Sequence, residues 1–221
     1  MPDAEAESLL TLYDVLFSAY GPQNWWPAET PFEVMIGAIL TQNTAWTNVE
    51  RAIAAMKAAN LLDAARIVEA DAALLAETIR PAGYFNVKAR RLRHFCRFWL
   101  REGGLEGLRN RPTERLRQQL LAVHGVGPET ADDMLLYGFE RPVFVIDAYT
   151  RRIGSRLGLL DGDAPYESLR KQFEEALPKD VELFGEYHAL LVRHAKQACR
   201  TAPRCDACAM REACPNQAVL T

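Results

Sequence analysis

Apolar residues recur along most of the chain at intervals of three and four, the repeat of an amphipathic helix rather than of a strand. Read this way, the sequence predicts helices over 7–20, 31–41, 47–59, 63–69, 72–80, 87–102, 113–122, 129–138, 148–158, 165–176 and 181–198. Breakers stand where these segments end: Gly21, the pair Gly103 and Gly104, Pro112, Gly125 and Pro178. The one strand-like run, PVFVI at 142–146, is too short and isolated to build a sheet. The pattern therefore predicts an all-α protein. It shows no low-complexity linker and no internal repeat, so any division must be into compact parts. The expected split is a helical bundle over 31–141 and a second unit made from 1–30 and 142–221, which gives the cysteines near the end a scaffold.

Composition and charge narrow the partners. With 221 residues and 49% hydrophobic content, the chain can bury one large core or two smaller ones. No apolar run reaches the length of a bilayer span, and the opening MPDAEAESLL is acidic rather than leader-like. The expectation is a cytoplasmic monomer with no membrane partner. A net charge of -3 argues against a protein held to nucleic acid by bulk charge. The charge is uneven, however: the first fifty residues carry seven acidic side chains and no Lys or Arg, which leaves the rest net positive. Lys88, Arg90, Arg91, Arg93, Arg97 and Arg101 crowd one predicted helix. Among them Arg90, Arg93, Arg97 and Arg101 recur at helical spacing, as either a solvated face or an anion-binding one. A second basic group, Arg193, Lys196, Arg200 and Arg204, stands beside the cysteines.

Four cysteines fall within sixteen residues, Cys199, Cys205, Cys208 and Cys214, with spacers of five, two and five; Cys96 stands apart on an amphipathic helix, as a buried small hydrophobe would. In a cytoplasmic protein four close thiols read as a metal site rather than as disulfides. Zinc usually takes two short Cys-x2-Cys knuckles and only one is present, whereas a cubane iron–sulfur cluster accepts one thiolate per iron from a single loop. Spacing alone leaves both open and favours the cluster. No flavin or nicotinamide fingerprint accompanies the cysteines, which points to a structural rather than a redox role.

In LLAVHGVGPETADDMLLYGF, one predicted helix ends near Val123 and the next begins near Glu129, with Gly125 and Gly127 between them. Glycine permits a positive φ and a close approach of another backbone. Turn N–H groups together with a helix N-terminus can cradle a phosphate. Eighteen residues after Glu129 comes Asp147, in VFVIDAYTRR, at a predicted helix start where an aspartate also serves as an N-cap.

These features, in this order, resemble the endonuclease III family of DNA glycosylases. The resemblance covers nearly the whole chain: FEVMIGAILTQNT, IRPAGYFNVKARRLRHF, VHGVGPETA, VIDAYTRR, and HAKQAC leading into the cysteine loop. It implies an all-α fold with a six-helix barrel domain carrying a helix-hairpin-helix, plus a helical domain from both chain ends with a [4Fe–4S] cluster held by Cys199, Cys205, Cys208 and Cys214. The first spacer is one residue shorter than the family's usual six. It also implies double-stranded DNA containing a damaged base as partner. His124, Gly125, Val126, Gly127 and Thr130 would grip the strand, and Gln42 and Asn43 would fill the gap left by a flipped base. Asp147 takes the family position of the carboxylate that stabilises positive charge on the sugar and orients an attacking water.

Where the strand-cutting members of the family carry a lysine, this chain has Glu129. A carboxylate cannot form the Schiff base that strand cutting requires. Its lysines are Lys57, Lys88, Lys171, Lys179 and Lys196, none at the hairpin, so the expectation is a monofunctional glycosylase that leaves an abasic site in an intact strand. Glu129 is either a group that contacts the flipped nucleotide or a cap of helix 129–138.

Glu129, together with NWWP and ILTQNT, is most similar to the 3-methyladenine DNA glycosylase III branch. That likeness implies a base pocket of Trp25, Trp26 and Trp46, with an alkylated purine stacked between aromatic rings; cation–π attraction would suit a cationic base. The sequence departs from the branch in keeping the cysteines, and in having Leu190 where the branch carries a modified lysine. Two further readings remain: an endonuclease III acting on oxidised pyrimidines with weak or absent lyase activity, and a non-catalytic reader of damaged DNA.

Overall fold

The computed structural model describes residues 2–216 and contains no strand among them. The chain forms two compact units, one from residues up to Pro27 together with those from Pro142 onward, the other from Ala28–Arg141. Helix α1 (Pro2–Tyr20) opens the first unit. The second holds α2 (Pro31–Leu40), α3 (Trp46–Ala58), α4 (Ala64–Glu69), α5 (Ala72–Thr78), α6 (Phe85–Arg101), α7 (Gly104–Leu108), α8 (Thr113–Leu121) and α9 (Pro128–Asp133). The chain then returns to the first unit with α10 (Ala148–Leu157), α11 (Tyr166–Ala176) and α12 (Val181–Gln197). No helix is long and apolar enough to cross a membrane among the described residues.

The periodicity anticipated these helices to within a few residues, and the differences have local causes. Pro81 removes a helical N–H, so the helix expected over 72–80 closes at Thr78 and gives way to a tight turn at Arg80–Ala82. The five-residue α7 is too short to show a period. The helix expected over 129–138 runs as α9 and then widens into a π turn at Met134–Gly138.

Helix α2 is the centre of the Ala28–Arg141 unit. Thr30 caps it, accepting from the Glu33 N–H at 3.1 Å, and every residue from Glu33 to Leu40 is buried. A helix apolar on all sides must be surrounded, and α2 packs against α3, α6, α9 and the π turn. In the other unit the PVFVI run is extended but unpaired with any strand. Val143 to Ile146 are buried, and side chains take two of their N–H groups: Phe144 N–H donates to Glu174 at 3.0 Å and Ile146 N–H to the Tyr166 hydroxyl at 3.4 Å. Phe144 stacks on Phe173 at 4.1 Å, and Tyr187 on α12 donates to the Leu9 carbonyl of α1 at 2.8 Å. This anchored segment delivers Asp147 to the start of α10.

Candidate functional site

In the Ala28–Arg141 unit, α8 and α9 are locked together by a buried bidentate pair. Arg117 donates Nε to Asp132 Oδ1 at 2.7 Å and Nη2 to Oδ2 at 3.0 Å. Between these helices Val123 and Val126 are buried and His124 is exposed, so the turn is pinned from beneath and open above. The two glycines do different jobs. Gly125 has φ +93°, and a Cβ there would meet Arg91 Cγ at 2.3 Å. Gly127 is extended at φ −93°, ψ 178°, with nothing within 4 Å of a built Cβ. Its lack of a side chain leaves open the space above the N-terminus of α9, where Glu129 lies exposed in the first turn.

The loop after α2 is tied to this hairpin. Gln42 Nε2 donates to the Gly125 carbonyl at 3.0 Å and to Thr130 Oγ1 at 2.8 Å, and Arg91 Nη1 donates to Gln42 Oε1. Asn43, next in the chain, has φ 52° and is exposed. Trp46 is half-buried at the start of α3 and donates Nε1 to Glu50 at 3.1 Å.

Two parts of the basic cluster behave differently from the sequence expectation. Lys88 is 1% exposed and donates to the Leu40 and Ala82 carbonyls at 2.8 and 2.7 Å and to Thr44 Oγ1 at 2.8 Å, while burial and then Arg91 push its pKa down to about 8. It braces the loop instead of meeting solvent. Arg93 turns to the Ala70 carbonyl, so the exposed stripe of α6 is Arg90, His94, Arg97 and Arg101. Helical spacing cannot separate Arg93 from His94, because both fall near the edge of the same face.

In the other unit Asp147 caps α10 while nearly buried. Its Oδ1 accepts from Thr150 N–H at 2.7 Å and Thr150 Oγ1 at 2.8 Å, and Oδ2 lies 3.6 Å from His188 Nε2 on α12. Burial works to raise the carboxyl pKa, but the hydrogen bond and charge of His188, with the two Thr150 donors, outweigh it and hold the group below its usual value. The cap and the candidate catalytic group are therefore one side chain using different oxygens. Trp25 and Trp26 meet edge-to-face at 6.4 Å, and the Lys196 ammonium lies 5.7 Å from the Trp25 ring centroid. Partial burial lowers the Lys196 pKa, and the Asp147 charge acts the other way.

His188 and Lys196 were not singled out as site residues from the sequence. His188 is buried on α12 and Lys196 exposed near its end, and no local pattern in the sequence pairs either with Asp147. Leu190 is fully buried in the core. Cys96 is also buried, which pushes its thiol pKa up.

The four loop cysteines surround the end of α12. Arg156 of α10 donates to Cys199 Sγ at 3.4 Å and to the Arg200 and Thr201 carbonyls at 2.6 and 3.0 Å. Cys208 Sγ lies 3.7 Å from His194 Nε2. The Cys208 thiol pKa is raised first by burial and also by Cys199, Cys214 and Cys205, so the other three sulfurs act on it directly. No group of three or more His, Cys, Asp or Glu among the described residues is drawn tightly enough to hold a metal ion. Even so, four sulfur donors carried by one short segment form a donor set of the kind that an iron centre takes.

A hairpin that presents backbone, and a carboxylate kept charged away from water, are the equipment of an enzyme that holds DNA and stabilises positive charge on a sugar. The chain belongs to the HhH-GPD superfamily of base excision DNA repair proteins, whose family model matches residues 36–179. It is a DNA N-glycosylase of base-excision repair. It is 47% identical over 217 residues to a candidate DNA repair glycosylase of Methanocaldococcus jannaschii, covering 97% of this chain and 99% of that one. It is 31% identical to endonuclease III of Sulfolobus acidocaldarius, covering 83% and 81%. Among solved structures, the H. pylori 3-methyladenine DNA glycosylase bound to 1,N6-ethenoadenine superposes with a TM-score of 0.73 at 27% identity, covering 89% of this chain and 97% of that one. A trapped endonuclease III–DNA intermediate gives 0.83 at 19% identity over 97% of both chains, a likeness of fold.

Proposed function

We propose that the protein hydrolyses the N-glycosidic bond of an alkylated purine in double-stranded DNA, with water as the nucleophile. The observation that carries this reading is Asp147, buried and ionised, with Oδ1 spent on Thr150 and Oδ2 turned toward His188. A fixed carboxylate of this kind stabilises the positive charge that grows on the sugar as the base leaves, and it can orient the water. Glu129 at the start of α9 supplies no amine, which supports release of the base without strand cutting. An alkylated purine leaves readily, so this modest machinery suffices.

In this reading Trp25, Trp26 and Trp46 hold the flipped base. His124, Gly125, Val126, Gly127 and Thr130 form the phosphate grip. Gln42 braces that grip while the exposed Asn43 faces the orphaned partner base. The ethenoadenine-bound H. pylori relative supports a purine substrate. Cys199, Cys205, Cys208 and Cys214 would hold a [4Fe–4S] cluster that folds the C-terminal loop. Four irons per chain with visible charge-transfer absorption in the purified protein is the expected result; one zinc without colour overturns the cluster.

The central test is a panel of duplexes carrying alkylated purines, ethenoadenine, thymine glycol or uracil, developed with and without hot alkali. Base release from the alkylated purines, with strand breaks only after alkali, is expected. Spontaneous nicking of thymine glycol duplexes, with a borohydride-trapped lysine adduct, would instead establish an endonuclease III activity. Binding without release, equal for Asp147→Asn, would establish a reader of damaged DNA.

A further inference from the structure

One cleft of the Ala28–Arg141 unit borders the hairpin grip through His124, and its remaining lining has no part in the mechanism above. It has a volume of about 330 Å³ and is lined by His94, Phe98, Arg101 and Glu102 of α6 and by Gln119, Ala122, Val123 and His124 from the end of α8 and the hairpin. The His94 and His124 rings lie against each other, centroids 4.9 Å apart and planes tilted by 55°. His94 belongs to the exposed stripe with Arg90, Arg97 and Arg101, and His124 immediately precedes Gly125. The one carboxylate at the cleft is already compensated: Glu102 accepts from Arg101 at 2.8 Å and from Arg111 at 2.9 Å. Phe98 lies under the Arg101 guanidinium at 5.6 Å. The pocket thus offers two imidazoles, a guanidinium and the Gln119 amide, in a positive field beside the hairpin.

We propose that this cleft is a second phosphate site, which takes a backbone phosphate of the DNA strand near the one the hairpin grips and takes up a proton as it does so. The charged groups around the His94 ring oppose a proton on it. The His94 pKa is accordingly lowered, by burial first and then by His124, Arg97 and Arg90. A phosphate seated at the rim of the cleft, accepting an N–H from the ring edges rather than lying between the rings, reverses that balance, since its charge favours the imidazolium. Binding that raises a histidine pKa is strongest at low pH and is lost as pH rises through the pKa of the bound form. The proposal rests on DNA as the partner and not on which base is removed, so it is tested without any lesion.

The experiment measures affinity of the full-length protein for an undamaged duplex from pH about 5 to 8, the range in which histidine titrates, at several salt concentrations. The wild type is expected to lose affinity with rising pH at a slope approaching one proton. His94→Gln and His124→Gln are each expected to flatten that slope. Loss of one phosphate contact should lower the salt slope by about 0.9. Both side chains are exposed, so the variants are expected to fold, which a thermal melt checks. Histidine ring resonances of the wild type give an independent readout, shifting with duplex at lower concentration than with inorganic phosphate. A pH-independent wild type, a slope unchanged in His94→Gln and in His124→Gln, or ring signals that respond to inorganic phosphate but not to duplex would each overturn the proposal.

Discussion

The two units carry function by different means. Around the hairpin the polar side chains are consumed inside the protein: Lys88, Arg117, Asp132 and Gln42 hydrogen-bond to their own unit and leave backbone facing outward. Around Asp147 the side chains themselves are the equipment: burial is opposed by His188 and Thr150 at the carboxylate, and the Asp147 charge reaches Lys196. A surface that must meet a repeating sugar–phosphate chain is best built from backbone, which does not read sequence. A centre that must stabilise a transient charge needs a few ionised groups held out of water.

This contrast predicts that the hairpin unit fails through folding and the Asp147 unit through chemistry. The largest effect is expected from Arg117→Ala. It leaves Asp132 charged and buried between α8 and α9, a loss of about 3–5 kcal/mol by thermal or denaturant unfolding. Replacing both partners, Arg117→Met with Asp132→Leu, should recover most of it. A melting temperature unmoved by the single change would show that the pair does not hold the hairpin.

Asp147→Asn tests the other half. Asparagine caps helices as well as aspartate does, so the melting temperature should fall only by what the charge contact with His188 contributes, while base release falls by about 10²–10³-fold, the scale of losing one preorganised electrostatic group. Duplex affinity should be nearly unchanged. An equal loss of stability and activity would reduce Asp147 to a cap.

The third contrast lies within the hairpin, and it shows what the sequence could and could not reveal. Gly125→Ala forces an alanine to φ +93° against Arg91 and should cost about 1–3 kcal/mol of stability. Gly127→Ala meets neither obstacle, so it should melt like the wild type and bind duplex more weakly, because its methyl group occupies the space left for phosphate. From the sequence the two glycines look equivalent. Most helices, the hairpin and the Asp147 cap were legible, because each depends on residues within a few positions of one another; the five-residue α7 and the π turn were not. Lys88 was read as part of a surface cluster because the Leu40 carbonyl it meets is 48 residues away, and no periodicity reports such a partner. His188 was invisible for the same reason: its role depends on Asp147, a residue on another helix.

The smallest effect concerns Lys196 and sharpens which purine is accepted. The aromatic pocket, judged from sequence, suits a cationic base, but the Trp25 ring already has the Lys196 ammonium 5.7 Å from its centroid. A cationic base stacked on Trp25 would feel that charge at short range, worth ~1 kcal/mol in a partly solvated site and less as salt rises. A neutral lesion of similar shape pays no such penalty. Lys196→Gln should therefore raise release of 7-methylguanine relative to 1,N6-ethenoadenine by about five-fold at low ionic strength, the equivalent of that energy, with the gain shrinking as salt is added. The neighbouring Asp147 charge opposes this by attracting a cation, and the ratio of the two lesions, rather than either rate, separates the two influences. A ratio unchanged by the substitution would leave Lys196 as packing against Trp25 and return the choice of base to pocket shape.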